Sequence, residues 1–433
     1  MAPSLHGRGP RELAARTATV LSRFGATPDA MERRLAHYDE VTAQFGVRPT
    51  LPVTGAVLGR HPRLIRRYAE RGVEFAAHGL VHADHSLLDL REQRDELARA
   101  LEIFQASGVA CVGFRGPYLR YNQATLDVVR ELGLRYHSSQ AFLFPVVDNG
   151  LESAPGYRSA LDLYRAVDAR AAAVRPRLLG EVVDIPVAVP DDEIAQERLR
   201  LSEREIAMTW RRLFDLTYER GDLFTVQLHP ERIFEFSRPL GETLAEARRR
   251  RPHVWTARLD EIDSWWRRRA TFALTVRRLG PDRVRVCLHG DGDATLLSRG
   301  LAGSRHAPWS DRYELAGARD FEAATAVLPV VAVSPRSPDD VRAFLAEEGF
   351  PLEISADPRG YGAHVDVSGG WEEQAVLDGI DAAPGPLVRL GRWPRGARSA
   401  LAVTGDIDSV TLQDFVLRYF ETRRSAISGR ARS

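Results

Sequence analysis

Val73-Glu-Phe-Ala-Ala-His78-Gly-Leu-Val-His82 reads as a short strand that stops and then offers two imidazoles. Working outward, His61–Arg71 has helical spacing, and Pro49–Val53 is extended up to Thr54-Gly55. Thr27-Pro28 opens an earlier helix with a capping hydroxyl and a proline suited to the first turn. Met31, Leu35, Tyr38, Val41 and Phe45 recur along it until Gly46. An arginine-rich helix over 11–24 is expected before it. Downstream come a helix over 88–107, a strand over 109–114, a helix over 122–132 and a strand over 134–138. Strands alternating with helices imply parallel βαβ units and an α/β fold. Residues 150–180 read as loop plus helix. Further strands are expected at 182–187 and 223–228, with a helix over 203–220 between them. Leu259–Arg269 is a helix carrying Trp265 and Trp266.

The pattern changes near Ala270. Phe272–Arg278 and Arg283–His289 alternate as a hairpin around Gly280-Pro281-Asp282. Strand Leu328–Val333, helix Pro338–Glu348 and strand Leu352–Ser355 follow. Residues 270–390 therefore read as a second, smaller α+β domain. Trp393-Pro-Arg-Gly396 then leads into a new apolar strand, Ser399–Thr404, and a helix from Thr411. No internal repeat or low-complexity tract is evident.

The 433 residues are enough for more than one domain. A hydrophobic fraction of 44% with 27% charged residues is ordinary for a protein with a buried core. The net charge of +1 selects neither nucleic acid nor an anionic membrane. Every basic residue is arginine; the sequence has no lysine. Cys111 and Cys287 are far apart and give no disulfide framework. The first 20 residues lack the apolar core of a signal peptide. No apolar run approaches the ~20 residues of a membrane span; the longest, Ala326–Val333, contains Pro329. A cytoplasmic location is expected, and the oligomeric state is left open.

Three motifs carry chemistry. His78 and His82 are spaced to share one face of a helical turn and converge on one metal ion. His85 is a nearby alternative, read as a supporting or solvent-facing residue. Phe114-Arg115-Gly116-Pro117-Tyr118 follows a strand, where parallel α/β folds place their sites. Arg115 offers a rigid donor fork to a carboxylate, and Pro117 fixes the turn. Phe224-Thr-Val-Gln-Leu228-His229-Pro230 ends an apolar strand in a histidine placed for proton transfer. Alone, each has an ordinary structural reading: surface imidazoles, a turn, a capped strand end.

In this order and spacing the three resemble the polysaccharide deacetylases, carbohydrate esterase family four, over about residues 27–265. That family has H-[ST]-x-x-H after its third strand, R-x-P-[YF] after the next, and a late Leu-His pair. Pro49–Gly55 also resembles its second strand. The resemblance implies a distorted (β/α) barrel and metal-dependent removal of an acetyl group from an N-acetylated sugar or polysaccharide. The family's first strand, ending in D-x-D, is missing upstream of residue 49. Ala400-Leu-Ala-Val-Thr404-Gly405-Asp406-Ile407-Asp408 resembles it instead, after a lead-in like the family's own. The expectation is a circular permutation, with 1–269 forming most of the barrel and 391–433 completing it. A solvated strand-end turn is the alternative for the two aspartates.

By resemblance, Asp408, His78 and His82 hold a divalent ion, zinc before cobalt, manganese or nickel, which acidifies a bound water. Asp406 is then the base, with Arg115 pairing it. The Tyr118 N–H stabilises the oxyanion, and His229 is the general acid. The family's histidine-tuning aspartate is replaced here, in Tyr136-His137-Ser138-Ser139, by His137; Asp184 or Asp260 could substitute. Asp191 and Asp192, after Pro190, line a substrate cleft with Pro117, or form a turn and helix cap. His289-Gly-Asp-Gly-Asp293 lacks calcium-loop spacing and reads as a turn. Two other functions stay open: hydrolysis of a small amide, ureide or ester, and a non-catalytic glycan-binding role that suits the 270–390 segment.

Overall fold

The strand Ser399–Thr404, from the far end of the chain, lies inside the main sheet. Its six residues are all buried, as Ala-Leu-Ala-Val requires, and it pairs in parallel with Leu223–Gln227 from Ala400 to Thr404. Its other edge meets Val254–Thr256 at its start and Thr50–Val53 at its end. From there the sheet runs through Glu74–Ala77, Gly113–Phe114, Tyr136–His137, Val182–Asp184 and Arg177–Leu179. Every pairing is parallel except the last. Val187–Val189 forms a small parallel sheet with Ala141–Leu143 and Val167–Asp168 and lies beside Leu223–Gln227, so the strands curl toward closure. This computed structural model describes residues 23–148, 150–301 and 306–430.

Short buried strands between amphipathic helices are what the alternating pattern implies. The helices Asp29–Ala43, Pro62–Ala69, Leu90–Ser107, Gln123–Glu131 and Glu203–Arg220 fall where expected. The strand expected over 109–114 shortens to Gly113–Phe114. The helices Gly55–Arg60 and Ile233–Arg249 were not anticipated, the second because Pro239 sits inside it. The helix expected over 11–24 lies outside the described residues apart from its last two. Among the described residues no helix is long and apolar enough to cross a membrane.

Residues 273–390 build three further sheets. One is the hairpin Ala273–Gly280 and Arg283–His289 with Asp320–Ala324. In the second, Leu328–Val333 lies between Leu352–Ile354 and Tyr361–Val365. The third pairs Leu296–Arg299 with Leu387–Leu390 and Glu314–Ala316. Val284, Val286, Leu296, Val330 and Val388 share a core there. Trp265, Trp266 and Trp393 pack between this region and the main sheet. Their indoles are satisfied at depth: Trp265 Nε1 donates to the Arg392 carbonyl at 2.8 Å and Trp393 Nε1 to that of Gly221 at 2.9 Å. The WPRG lead-in is thus an anchor for the tail strand. Both cysteines are free thiols.

Candidate active site

Thr404 ends the tail strand, and the chain stays extended beyond it. The Ile407 N–H donates to the Pro52 carbonyl at 2.7 Å, and Ile407 bridges Val53 in parallel. Ile407 is buried in the core, so Asp406 and Asp408, two residues apart, turn together to the other side. There they meet His78 and His82. The two imidazoles converge, but not from the helical turn expected: residues 78–84 form an irregular loop. Gly79 at φ +76° makes its bend, where a side chain would strike the Val81 carbonyl.

His78 Nδ1 lies 2.8 Å from the Arg115 carbonyl, which can only accept. Nδ1 therefore carries a proton, and in the neutral ring Nε2 is the lone pair open to a ligand. That Nε2 lies 3.4 Å from Asp408 Oδ1 and 3.6 Å from Asp406 Oδ2. His82 Nε2 lies 3.4 Å from Asp408 Oδ2. Ligand atoms of His78, His82 and Asp408 fall within 4.8 Å of one another, all buried. His78 Nε2 and Asp408 Oδ1 have no hydrogen-bond partner at depth. Orphaned acceptors around a common point fit a divalent cation at about 2 Å from each.

Asp406 is held by two donors. Gln227 Nε2 donates to Oδ2 at 2.7 Å and Arg115 Nη1 to Oδ1 at 3.4 Å. Arg115 is fully buried and locked by the Ser138 carbonyl at 2.8 Å, the Ser138 hydroxyl at 2.9 Å and Thr404 Oγ1 at 2.8 Å. Gln227 was missed in the sequence; its only signal is a polar residue at the end of the buried strand Leu223–Gln227. Pro117 is buried, and after it Tyr118 and Leu119 adopt φ of 60° and 54°. The Tyr118 ring meets the His82 ring edge-on at 4.4 Å.

His229 has a partner that sequence reasoning assigned elsewhere. Asp192 Oδ1 lies 2.9 Å from His229 Nδ1, and Asp192 Oδ2 accepts the His229 backbone N–H at 2.9 Å. Asp192 is fully buried and does not line a cleft. Neither does Asp191, which accepts from the Tyr164 hydroxyl at 3.1 Å and the Ile194 N–H at 2.8 Å. Cis Val189-Pro190 carries the chain into this pair. Asp184 pairs instead with His137 at 3.0 Å, and Asp260 with Arg258 at 2.9 Å, so neither tunes His229. His85 is buried against Glu96 at 2.6 Å rather than solvent-facing. One basic residue was not foreseen at all: Arg418, on the tail helix Leu412–Arg430, donates to Asp408 Oδ2 at 2.6 Å.

Electrostatics follow from these neighbours. Burial opposes ionisation of Asp408, but His82, Arg418 and His78 outweigh it and hold the carboxyl well below its ordinary range. Burial pushes the His82 pKa well below its usual value, keeping a neutral ring suited to ligation. Burial works against a charged His78, and Asp406 and Asp408 outweigh it. The negative charge that draws a proton there is what a cation neutralises. His229 is raised well above its usual value because Asp192 outweighs burial, so it stays protonated near neutral pH.

Residues 18–137 match the polysaccharide deacetylase family model. The matched segment contains His78, His82 and Arg115 and stops before His229 and the tail aspartates. A chitooligosaccharide deacetylase of Sinorhizobium fredii is 29% identical over 187 residues, 42% of this chain and 78% of that protein. Together these support the polysaccharide deacetylase family. Among solved structures, a putative polysaccharide deacetylase from Mycobacterium smegmatis is 22% identical, with TM-score 0.42, covering 59% of this chain and 83% of that one. The Puue allantoinase is 17% identical, with TM-score 0.44, covering 60% and 77%.

Proposed function

We propose that this protein hydrolyses the acetamido group of an N-acetylated sugar, releasing acetate and the free amine. The observation that carries the reading is the meeting of His78, His82 and Asp408 beside an arginine-held Asp406 and an aspartate-held His229. The family match and the deacetylase relative support the same chemistry. A divalent ion held by His78, His82 and Asp408 supplies Lewis acidity and lowers the pKa of water.

The chain's own residues do the rest. Asp406, oriented by Gln227 and Arg115, takes a proton from the water whose oxygen attacks the acetyl carbon. The Tyr118 N–H donates to the oxygen that gains charge as the carbonyl becomes tetrahedral. His229 gives its Nε2 proton to the nitrogen as the C–N bond breaks, while Asp192 holds Nδ1. In the same reading the tail strand is a permuted first strand, and 270–390 is a separate domain that leaves the chemistry to the curled sheet.

Metal analysis combined with acetate release from a chitooligosaccharide tests this. His82→Ala or Asp408→Ala is expected to lose metal and activity together. Asp406→Asn should keep metal and lose about 10²–10⁴-fold in turnover. A fully active Asp406→Asn protein removes the base assignment; a metal-loaded wild type that releases no acetate removes the function.

A further inference from the structure

Arg418 pairs with Asp408 and keeps its side chain partly exposed. Its Nη1 donates to Asp408 Oδ2, leaving Oδ1 as the unpartnered oxygen that turns toward His78. A cation and Arg418 therefore take different oxygens of one carboxylate and do not compete. The guanidinium also feels the Tyr118 phenol and Glu231, so it belongs to the lip of the site rather than to the tail's outer face. Its side chain is 28% exposed, which puts it within reach of a ligand. Arginine presents five N–H donors in a planar fork. Among the described residues only Asp408 accepts from Arg418, so the rest of the fork has no protein acceptor.

Charge makes that edge selective. Arg115 is bound up with Asp406, and Arg232 and His229 with Asp192. Arg418 shares Asp408 with His78 and His82, and Glu231 lies beyond ion-pairing distance of it. Once Asp408 also neutralises a metal ion, Arg418 is the least compensated cation in the site. A planar, half-satisfied fork matches a carboxylate or phosphate better than a sugar hydroxyl.

On the deacetylase reading, we propose that Arg418 is a specificity-determining residue that binds an anionic substituent on the substrate. The proposal rests on that reading for the reaction and on Arg418 alone for the anion. Position follows from geometry. An anion on the free edge lies on the order of 5–6 Å from the Asp408 carboxylate, one guanidinium and one hydrogen bond away. The proposal accordingly places it close to the acetamido group, on the neighbouring ring carbon, rather than at the far end of the sugar.

Three probes separate the possibilities. N-acetylmuramic acid carries a lactyl carboxylate, joined through an ether oxygen to the carbon beside the acetamido carbon. N-acetylglucosamine has a hydroxyl there, and N-acetylglucosamine 6-phosphate carries a remote anion. Wild type should favour N-acetylmuramic acid over the other two at least tenfold in kcat/KM. Arg418→Gln should erase that preference, mainly through KM, and Arg418→Lys should restore part of it. A second readout needs no turnover. Calorimetric binding of N-acetylmuramic acid to metal-free protein should weaken at least tenfold in Arg418→Gln, with the ratio to N-acetylglucosamine falling to near one. If Arg418→Gln lowers all three probes equally, the residue only positions Asp408 and the proposal fails. An unchanged preference overturns it as well. If wild type releases acetate from none of the probes, the deacetylase reading falls, while the binding comparison still decides whether Arg418 grips the anion.

Discussion

At the scale of single residues, the site works by pairing every charge with a fixed partner. Asp192 is the sharpest case. It is buried, and it holds both His229 Nδ1 and the His229 backbone N–H. Replacing it with asparagine removes the anion that outweighs burial, so the His229 pKa must fall. The protonated imidazole then disappears from the alkaline side first. Asp192→Asn is expected to move the alkaline limb of the kcat profile down by about one pH unit or more. A pH–rate profile in which that limb stays put would show that His229 is not the acid. Residue type and spacing made His78, His82, Asp408, Arg115 and His229 legible in the sequence, because ligands and donors have few chemical alternatives. They could not show which carboxylate serves His229. Asp191 and Asp192 are chemically identical neighbours, and only the turn after Val187–Val189 decides which one faces the histidine.

At the scale of elements, two features hold the aspartates in place. The first is the close pass of the tail strand over the end of Leu223–Gln227. A Cβ on Gly405 would lie 1.7 Å from the Leu228 carbonyl oxygen, a backbone atom with nowhere to go. Gly405→Ala should therefore separate Asp406 from Gln227 and cost about 1–3 kcal/mol, the usual cost of overpacking. Thermal unfolding and metal stoichiometry together check this; unchanged values for both would mean the strands are not this close. The second feature is the start of the tail helix. Asp414 accepts the Val410 and Thr411 N–H groups, at 3.1 and 2.9 Å, and pairs with His61 and Arg60 at 2.7 and 2.6 Å. Burial opposes its ionisation, but the His61 and Thr411 hydrogen bonds and Arg60 outweigh it, lowering its folded pKa. A lowered acid contributes stability above its unfolded pKa, near 3.9, and loses it as pH falls toward the folded value. The tail helix should accordingly become protease-sensitive on acidification below about pH 4, and Asp414→Asn should make it so at neutral pH. A tail equally resistant in the variant and wild type would contradict this anchor. The apolar run 399–404 announced its strand, whereas Ile233–Arg249 was hidden by Pro239 and Arg418 by a helix that carries no motif.

At the scale of the whole molecule, the start of the tail helix meets the first described residues of the chain. The Leu412 N–H donates to the Gly25 carbonyl at 2.9 Å, and Phe24 stacks on Phe415 at 5.6 Å. The 270–390 segment is tied to the main sheet by Glu348, fully buried among Arg175, Arg389 and Arg392, with Arg392 also bonded to Asp222. This knot fixes the place from which the tail strand departs. If the proposed permutation is right, chain order is incidental and the ordinary order can be rebuilt. A chain running 391–430, then a linker, then 23–390 should fold to the same sheet. The tail helix has 19 residues, about 28 Å at 1.5 Å per residue, so its end stands about that far from Gly25. A flexible linker of about 12 residues spans that distance at ~3.3 Å each. The new break falls between Leu390 and Gly391, and both sides keep their anchors. Leu390 pairs with Leu296, and Trp393 stays bonded to Gly221. The rearranged protein should bind one metal ion per chain and lose it on Asp408→Ala, as is expected of the natural order. A soluble, folded rearranged chain without that metal would mean that the tail strand needs its present connection through 270–390 to reach its place, and the permutation reading would fail.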